Sequence, residues 1–325
     1  MRSVTLQDYK RRILPVLSHI QDHLDDRLPL NDLAALACFS PYHFHRIFTG
    51  MVGESVKEYV RRLRLERAAG RLRAGSKSVV EIAFEAGYES HEAFSRSFKV
   101  VFGTSPTQFR RTRQEQIASA SGLHFRPGIT VRRFRAVRGG KSMNVEIQQL
   151  RPMRVAYLRH IGPYNAVGST WDRLLTMMGK DGYLGGSPMM LGICHDDPEV
   201  TPPSRIRYDA CIEVDDRFKP AEGIQVQVVA GGEYARTTHT GPYNNLGKTY
   251  MEFLGHWLPR SGRELRDAPC FEVYLNDPQS TPPEELLTDI YAPLMEHPSA
   301  PERGHYEDGD EVRGKSEVSR EAKAR

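Results

Sequence analysis

The 325-residue sequence contains no run of about 18 apolar residues, so no segment of it is expected to cross a bilayer as a helix. Its charged N-terminus, MRSVTLQDYKRR, lacks the apolar centre of a secretory leader. Its four cysteines, Cys38, Cys194, Cys211 and Cys270, include no CxxC pair, which argues against a zinc site or a disulfide framework. GxSxG and HExxH are missing as well, which removes the commonest signatures of a serine nucleophile and of a helical zinc site. From these absences we expect a cytoplasmic protein with free thiols, no membrane partner, no metal, no cofactor and no catalytic residue. What is present is a hydrophobic fraction of 39%, ordinary for a globular protein, and enough length for about two domains, each with its own core.

Charge divides the chain. Met1 to Arg113 holds 19 Lys and Arg against 12 Asp and Glu, and residues 114–142 hold 6 against 1. From Met143 to His297 the balance reverses, with 14 basic residues against 21 acidic ones. A basic front and an acidic back suggest a polyanion-binding domain joined to a domain with another task, although two solvated surfaces would give the same numbers.

The basic part is internally duplicated. LAALACFSPYHFHRIFTGMVGESVKEYVRR, from Leu33, aligns with IAFEAGYESHEAFSRSFKVVFGTSPTQFRR, from Ile82. Ala34 and Phe39 match Ala83 and Tyr88 at an offset of 49; Phe44, Arg46, Phe48, Gly53, Ser55 and Tyr59 match Phe94, Arg96, Phe98, Gly103, Ser105 and Phe109 at an offset of 50. The extra residue falls in the turn between a short helix and a second one, the arrangement of a helix-turn-helix. Ser40-Pro41 supplies an N-cap followed by proline at the first helical position, and Ser78 with Glu81 and Ser105 with Gln108 read as capping boxes. Phe44, Ile47 and Phe48, and Phe94 and Phe98, recur at helical spacing and should face a core. The opposite faces, expected to be free, carry Tyr42, His45 and Arg46 in the first unit and His91, Glu92, Ser95 and Arg96 in the second. In a major groove Arg can donate two hydrogen bonds to guanine, while His, Ser and Glu can reach base edges or phosphate. Residues 55–74 read as an arginine-rich helix separating the units, so two recognition helices could enter major-groove segments about 34 Å apart.

These residues, from about Leu17 to Arg111, resemble the DNA-binding domain of AraC/XylS-type bacterial transcription regulators. The resemblance implies double-stranded promoter DNA as a partner, with RNA polymerase beside it, and implies DNA contact by Tyr42, His45, Arg46, His91, Glu92, Ser95 and Arg96. Glu92 stands where many relatives carry a neutral amide. The domain comes first in the chain, which is the Rob-like order.

The acidic part is a second duplication. HIGPYN at His160 and HTGPYN at His239 lie 79 apart; Pro188 and Pro269 lie 81 apart and Asp209 and Asp289 lie 80 apart. Each copy reads strand, GPY turn, helix, strand, DP/TPP loop, strand, with helices over residues 166–178 and 245–257. Two β-α-β-β units give a pseudo-twofold α+β domain with a cleft between its halves. In this setting HxGPYN is a strand-to-helix junction, with Asn165 or Asn244 helping to start the helix, rather than a catalytic kit used twice. The pleat over residues 270–275 puts Phe271, Val273 and Leu275 on one face and Cys270, Glu272 and Tyr274 on the other. A lone carboxylate in such a strand is costly to bury unless paired or useful; counting from the Pro188–Pro269 match, its counterpart is Leu191. Tyr164, Trp171, Tyr208 and Tyr243 are candidate aromatic walls for a flat or cationic ligand. The stretch from about Asn144 to Met295 resembles the GyrI-like effector-binding domain, which implies a hydrophobic or cationic small-molecule effector and an acid in the cleft at Glu272.

The expected organisation is multidomain: residues 1–113 an all-α double helix-turn-helix domain, 114–142 a basic linker whose arginines graze DNA, 143–297 the α+β domain, and 298–325 a disordered tail. The reading is a transcription regulator modulated by a small ligand. An architectural DNA binder with a protein-interaction domain, or a small-ring hydrolase fused to a DNA-binding domain, are the alternatives.

Overall fold

A computed structural model of the chain describes residues 5–112, 119–126, 128–139, 143–180, 183 and 188–296. Residues 114–118, 127 and 140–142 of the expected linker, residue 113 before it and all of the expected tail lie outside the described residues.

Among the described residues seven helices come first: α1 (Leu6–Asp22), α2 (Leu30–Leu36), α3 (Pro41–Val52), α4 (Val56–Ala74), α5 (Val79–Glu85), α6 (His91–Phe102) and α7 (Pro106–Thr112). Side chains fix their starts. Ser55 and Ser78 accept from the backbone N–H of Glu58 and Glu81, whose carboxylates reach back to the cap, and Thr5 with Asp8 does the same for α1. Ser105 accepts from Gln108 N–H at 3.2 Å ahead of α7.

The long helix α4 serves two cores. Its Val56, Tyr59 and Leu63 pack with α1, α2 and α3 around Phe44 and Phe48. Its Leu65, Ala68, Ala69 and Leu72 pack with α5, α6 and α7 around Phe94, Phe98, Phe102 and Phe109. Several arginines of α4 are anchors: Arg62 is held by Glu54 and Glu66, Arg67 by Asp25, and Arg71 by Glu85. The described part of the basic connector is extended and docked rather than loose. Leu123 and Phe134 are buried in the first core, Phe125 N–H donates to Glu66 Oε2 at 2.7 Å, and Val137 N–H donates to Met51 O at 2.9 Å.

The second part is one eight-stranded antiparallel sheet, β1 (Glu146–Leu150), β2 (Met153–Ile161), β3 (Met190–Cys194), β4 (Arg207–Glu213), β5 (Gln225–Val229), β6 (Gly232–Thr240), β7 (Cys270–Tyr274) and β8 (Leu287–Pro293), in the order β1-β6-β8-β7-β3-β4-β2-β5. The two repeats meet along β3 and β7, where Gly192 pairs with Glu272 and Ile193 with Phe271. Two strands exchange sides: β1 precedes the first repeat and pairs with β6 of the second, while β5 pairs with β2. The exchange ties the halves into a continuous sheet. Helix α8 (Gly168–Lys180) belongs to the first repeat. In the second, α9 (Leu246–Tyr250) runs on through a π-helical stretch, Met251–Trp257. The asparagines of the GPY turns do not cap these helices. Asn165 and Asn244 lie inside 3₁₀ turns, Tyr164–Ala166 and Tyr243–Asn245, two residues past the capping positions Pro163 and Pro242. His160 and His239 instead bridge strand to helix through Nδ1, 3.1 Å from Thr170 Oγ1 and 2.7 Å from Thr249 Oγ1.

No helix among the described residues is long and apolar enough to cross a membrane, and no group of three or more His, Cys, Asp or Glu among them could hold a metal ion.

Candidate functional site

The two expected recognition helices have opposite surroundings. In α6 the aromatic face is inward, with Phe94 and Phe98 fully buried, while Glu92 and Arg96 are exposed and His91 and Ser95 partly so. Ser90 caps the helix through Ala93 N–H at 3.2 Å, and Glu92 in its first turn is exposed. In α3 the face expected to be free is covered. His45 is 2% exposed and the Arg46 side chain 12%, because α3 packs on the π-helical stretch that follows α9. Gly50 and Gly255 let the two backbones touch, and Phe253, Leu254 and Leu258 extend the core that already holds Phe44 and Phe48. Polar groups fasten the contact: His43 Nε2 lies 2.9 Å from Ala268 O, His45 Nδ1 lies 3.0 Å from Asp197 Oδ2, and Arg46 Nε lies 3.8 Å from the same oxygen. Burial by itself would push the Asp197 carboxyl up; Arg46 and His45 outweigh it and hold it at about 2. Burial pushes His43 down to about 4, so at neutral pH it is the uncharged partner of Ala268. The side chain of Tyr42 lies outside the described residues.

In the sheet, Glu272 sits at the seam between the repeats, 6% exposed. Three groups donate to its carboxylate: Tyr250 hydroxyl and Cys194 thiol to Oε1 at 3.0 and 3.3 Å, and Tyr274 hydroxyl to Oε2 at 3.0 Å. Burial raises its pKa, and these three donors and Arg46 hold the rise in check. The four aromatics picked from sequence gather around this carboxylate through Tyr274. Trp171 Nε1 donates to Tyr208 Oη at 3.0 Å, and the Tyr208 and Tyr274 hydroxyls meet at 2.8 Å. Trp171 and Tyr243 set their rings edge-on to Tyr274 at 5.7 and 5.5 Å, and Tyr164 stands edge-on to Tyr208 at 6.0 Å. Tyr243, 37% exposed, is the wet edge of the group.

Sequence reasoning missed Cys194, Tyr250 and Arg46. Tyr250 was legible as the counterpart of Trp171, 79 residues on in the duplicated helix, but its apolar neighbours mark it as core. Nothing in the sequence joins Arg46 to this site.

The counterpart of Glu272 is also corrected. Ile193 faces Asp209 across β3 and β4, and Val273 faces Asp289 across β7 and β8, so the repeat offset in these strands is 80 and Glu272 corresponds to Gly192 rather than Leu191. The 81-residue offset at the prolines belongs to the loop before the strand. A β-carbon on Gly192 would lie 2.2 Å from Tyr208 Oη, so the missing side chain in one repeat makes room for the tyrosine whose hydroxyl meets Tyr274 of the other.

A separate concavity of about 490 Å³ lies between β6 and α9, lined by Glu146, Arg236, His239, Lys248 and Glu252 among others. It does not include Glu272. Glu272 and two of its donors, Tyr250 and Cys194, are buried.

Residues 143–295 match the GyrI-like small molecule binding domain, and residues 33–112 match a helix-turn-helix domain. The transcriptional regulator Rob of Salmonella typhimurium is 32% identical over 271 residues, covering 81% of this chain and 89% of that one. The probable transcriptional regulator YgiV of Escherichia coli is 34% identical over 108 residues, 32% of this chain and 65% of that one, so this chain spans just under two thirds of it. Among solved structures, the EcmrR C-terminal domain aligns with 48% of this chain and 99% of its own length, at 20% identity and a TM-score of 0.40.

Proposed function

Since the chain belongs to the family of the transcriptional regulator Rob, an AraC-type helix-turn-helix domain followed by a GyrI-like domain, we propose that it binds promoter DNA and answers to a small hydrophobic or cationic effector held at Glu272. The observation that carries the effector half is the buried carboxylate itself. A carboxyl group is kept in an aromatic interior, at the cost of its hydration, where its charge has a partner to meet. Six aromatic side chains around one carboxylate suit a cation with a flat or apolar body, by charge and by cation–π contact.

The DNA half is supported by the basic front, the duplicated helix and the exposed Glu92 in the first turn of α6. His91, Glu92, Ser95 and Arg96 are its readers, with Tyr42, His45 and Arg46 of α3 joining when that helix is uncovered. Residues 1–113 and 143–297 are the two working domains of this reading, acting in the cytoplasm beside RNA polymerase. No turnover is part of it. His160 and His239 each place Nδ1 on a threonine that joins strand to helix, and the Glu272 carboxylate is engaged by three donors.

Two measurements test the halves separately. Tetraphenylphosphonium should raise the melting temperature of the full-length protein in proportion to the logarithm of its concentration, and the isosteric anion tetraphenylborate should not; equal shifts with both would leave the carboxylate no role. Arg96→Ala should cost about 1–3 kcal/mol of discrimination between duplexes selected in vitro and scrambled ones, if Arg96 meets a base edge. A uniform loss on all duplexes would assign it to phosphate instead.

A further inference from the structure

The two helix-turn-helix units are copies of one design, and α3 differs from α6 in the residues that meet the sheet domain. Position by position, His43, His45, Ile47 and Gly50 of α3 stand where α6 has Ala93, Ser95, Ser97 and Val100. Val100 is 85% exposed, so the helix itself accepts a branched side chain at that place. A β-carbon on Gly50 would lie 2.2 Å from Gly255 Cα. The glycine is therefore required by the contact between α3 and the π-helical stretch after α9, not by the helix-turn-helix.

The receiving side is specialised in the same way. Asp197 and its repeat counterpart Asp277 hold the same turn, each accepting at Oδ1 from the backbone N–H two residues on, Glu199 at 3.0 Å and Gln279 at 2.9 Å. The second oxygen of Asp277, which is exposed, takes the Ser280 hydroxyl; the second oxygen of Asp197, which is buried, takes His45 and faces Arg46. Beyond Asp197 the guanidinium of Arg46 lies 4.3 Å over the ring of Tyr250, and the hydroxyl of that ring donates to Glu272. A cation already stands one aromatic ring from the buried carboxylate.

We infer that α3 is the resting occupant of the effector cleft: Arg46 holds the cation's place over Tyr250, and an organic cation entering there expels α3 and frees the first recognition helix for the major groove. This rests on the effector reading above and adds its regulation. The competing ligand is a cation with an aromatic or branched apolar body, since it must replace a guanidinium on the same ring face and gain apolar burial that arginine lacks. In the resting state only α6 is presented, so the protein holds DNA by one recognition helix. With the cation bound it holds DNA by two.

Full-length wild type, Asp197→Asn, Gly50→Val and Glu272→Gln are titrated with tetraphenylphosphonium by calorimetry, and backbone hydrogen exchange of α3 is followed with and without it. Asn keeps the oxygen that holds the turn and removes the charge that holds α3; Val at 50 is the residue the second unit already carries. We expect the cation to speed exchange in α3, and both release variants to bind it about tenfold more tightly, a typical coupling between linked equilibria. If Gly50→Val does not fold, Asp197→Asn carries the affinity test alone. Binding that needs Glu272 but leaves α3 exchange and both release variants at wild-type values overturns the inference while the effector reading stands. No binding to any of the four proteins overturns both.

Discussion

Glu272→Gln is expected to lower the affinity of the full-length protein for tetraphenylphosphonium by about a hundredfold, because truncating one partner of a buried charge pair costs about 2–5 kcal/mol. The same substitution should make the ligand-free protein more stable at neutral pH. Burial raises the Glu272 pKa above its value in the unfolded chain, so its contribution to stability is fully present at low pH and is lost as pH rises through the folded-state pKa. Cation affinity runs the other way, falling as pH falls through that pKa and the carboxylate is neutralised. Glutamine has neither dependence. Calorimetric titration and denaturant unfolding across the weakly acidic range check both slopes; a wild-type affinity that is flat with pH, in a protein whose Gln variant binds equally well, would remove the charge from the account.

Phe98→Ala should cost about 3–5 kcal/mol, the range for deleting a buried aromatic ring. Phe98 is fully buried and sits between Phe94, Phe102 and Phe109, with ring centroids 5.5, 4.3 and 5.3 Å away. Its cluster, made by the second half of α4 with α5, α6 and α7, is distinct from the core that α3 shares with the sheet. The loss should therefore fall on the second helix-turn-helix alone. Specific DNA binding disappears while tetraphenylphosphonium still binds, and thermal unfolding splits into an early step for α5–α7 and a later one for the rest. A single cooperative transition at lower temperature would show that the two cores are energetically one.

The parts legible in the sequence are those set by local rules or by repetition. The capping box at Ser78, the Ser105 hydroxyl accepting from Gln108 N–H and the pleat that puts Glu272 with Tyr274 follow from short-range chemistry, and the duplication follows from repetition. The exchange of β1 and β5 between repeats was not legible, because which strand an alternating segment joins is decided by partners about 70–90 residues away in sequence. The covering of α3 was missed for a related reason: Arg46 and Arg96 are the same letter at the same place in two copies, and only the surface each meets separates them. A signal did exist in the disagreements, Gly50 against Val100 and His45 against Ser95, where one copy carries residues that a solvent-facing helix does not need. The error at Leu191 is instructive too. Prolines in a loop gave an offset of 81, whereas the strand register gives 80, and in a strand one residue exchanges the faces.

Coupling between the Glu272 site and the DNA-binding face is measured directly through linkage. Tetraphenylphosphonium is titrated into the full-length protein alone and into its complex with a duplex selected in vitro, and the duplex is titrated into the protein with and without saturating cation. Each ligand should tighten the other by the same factor, about tenfold, since coupling free energies are reciprocal. Cation that binds through Glu272 while DNA affinity stays unchanged would contradict the coupling.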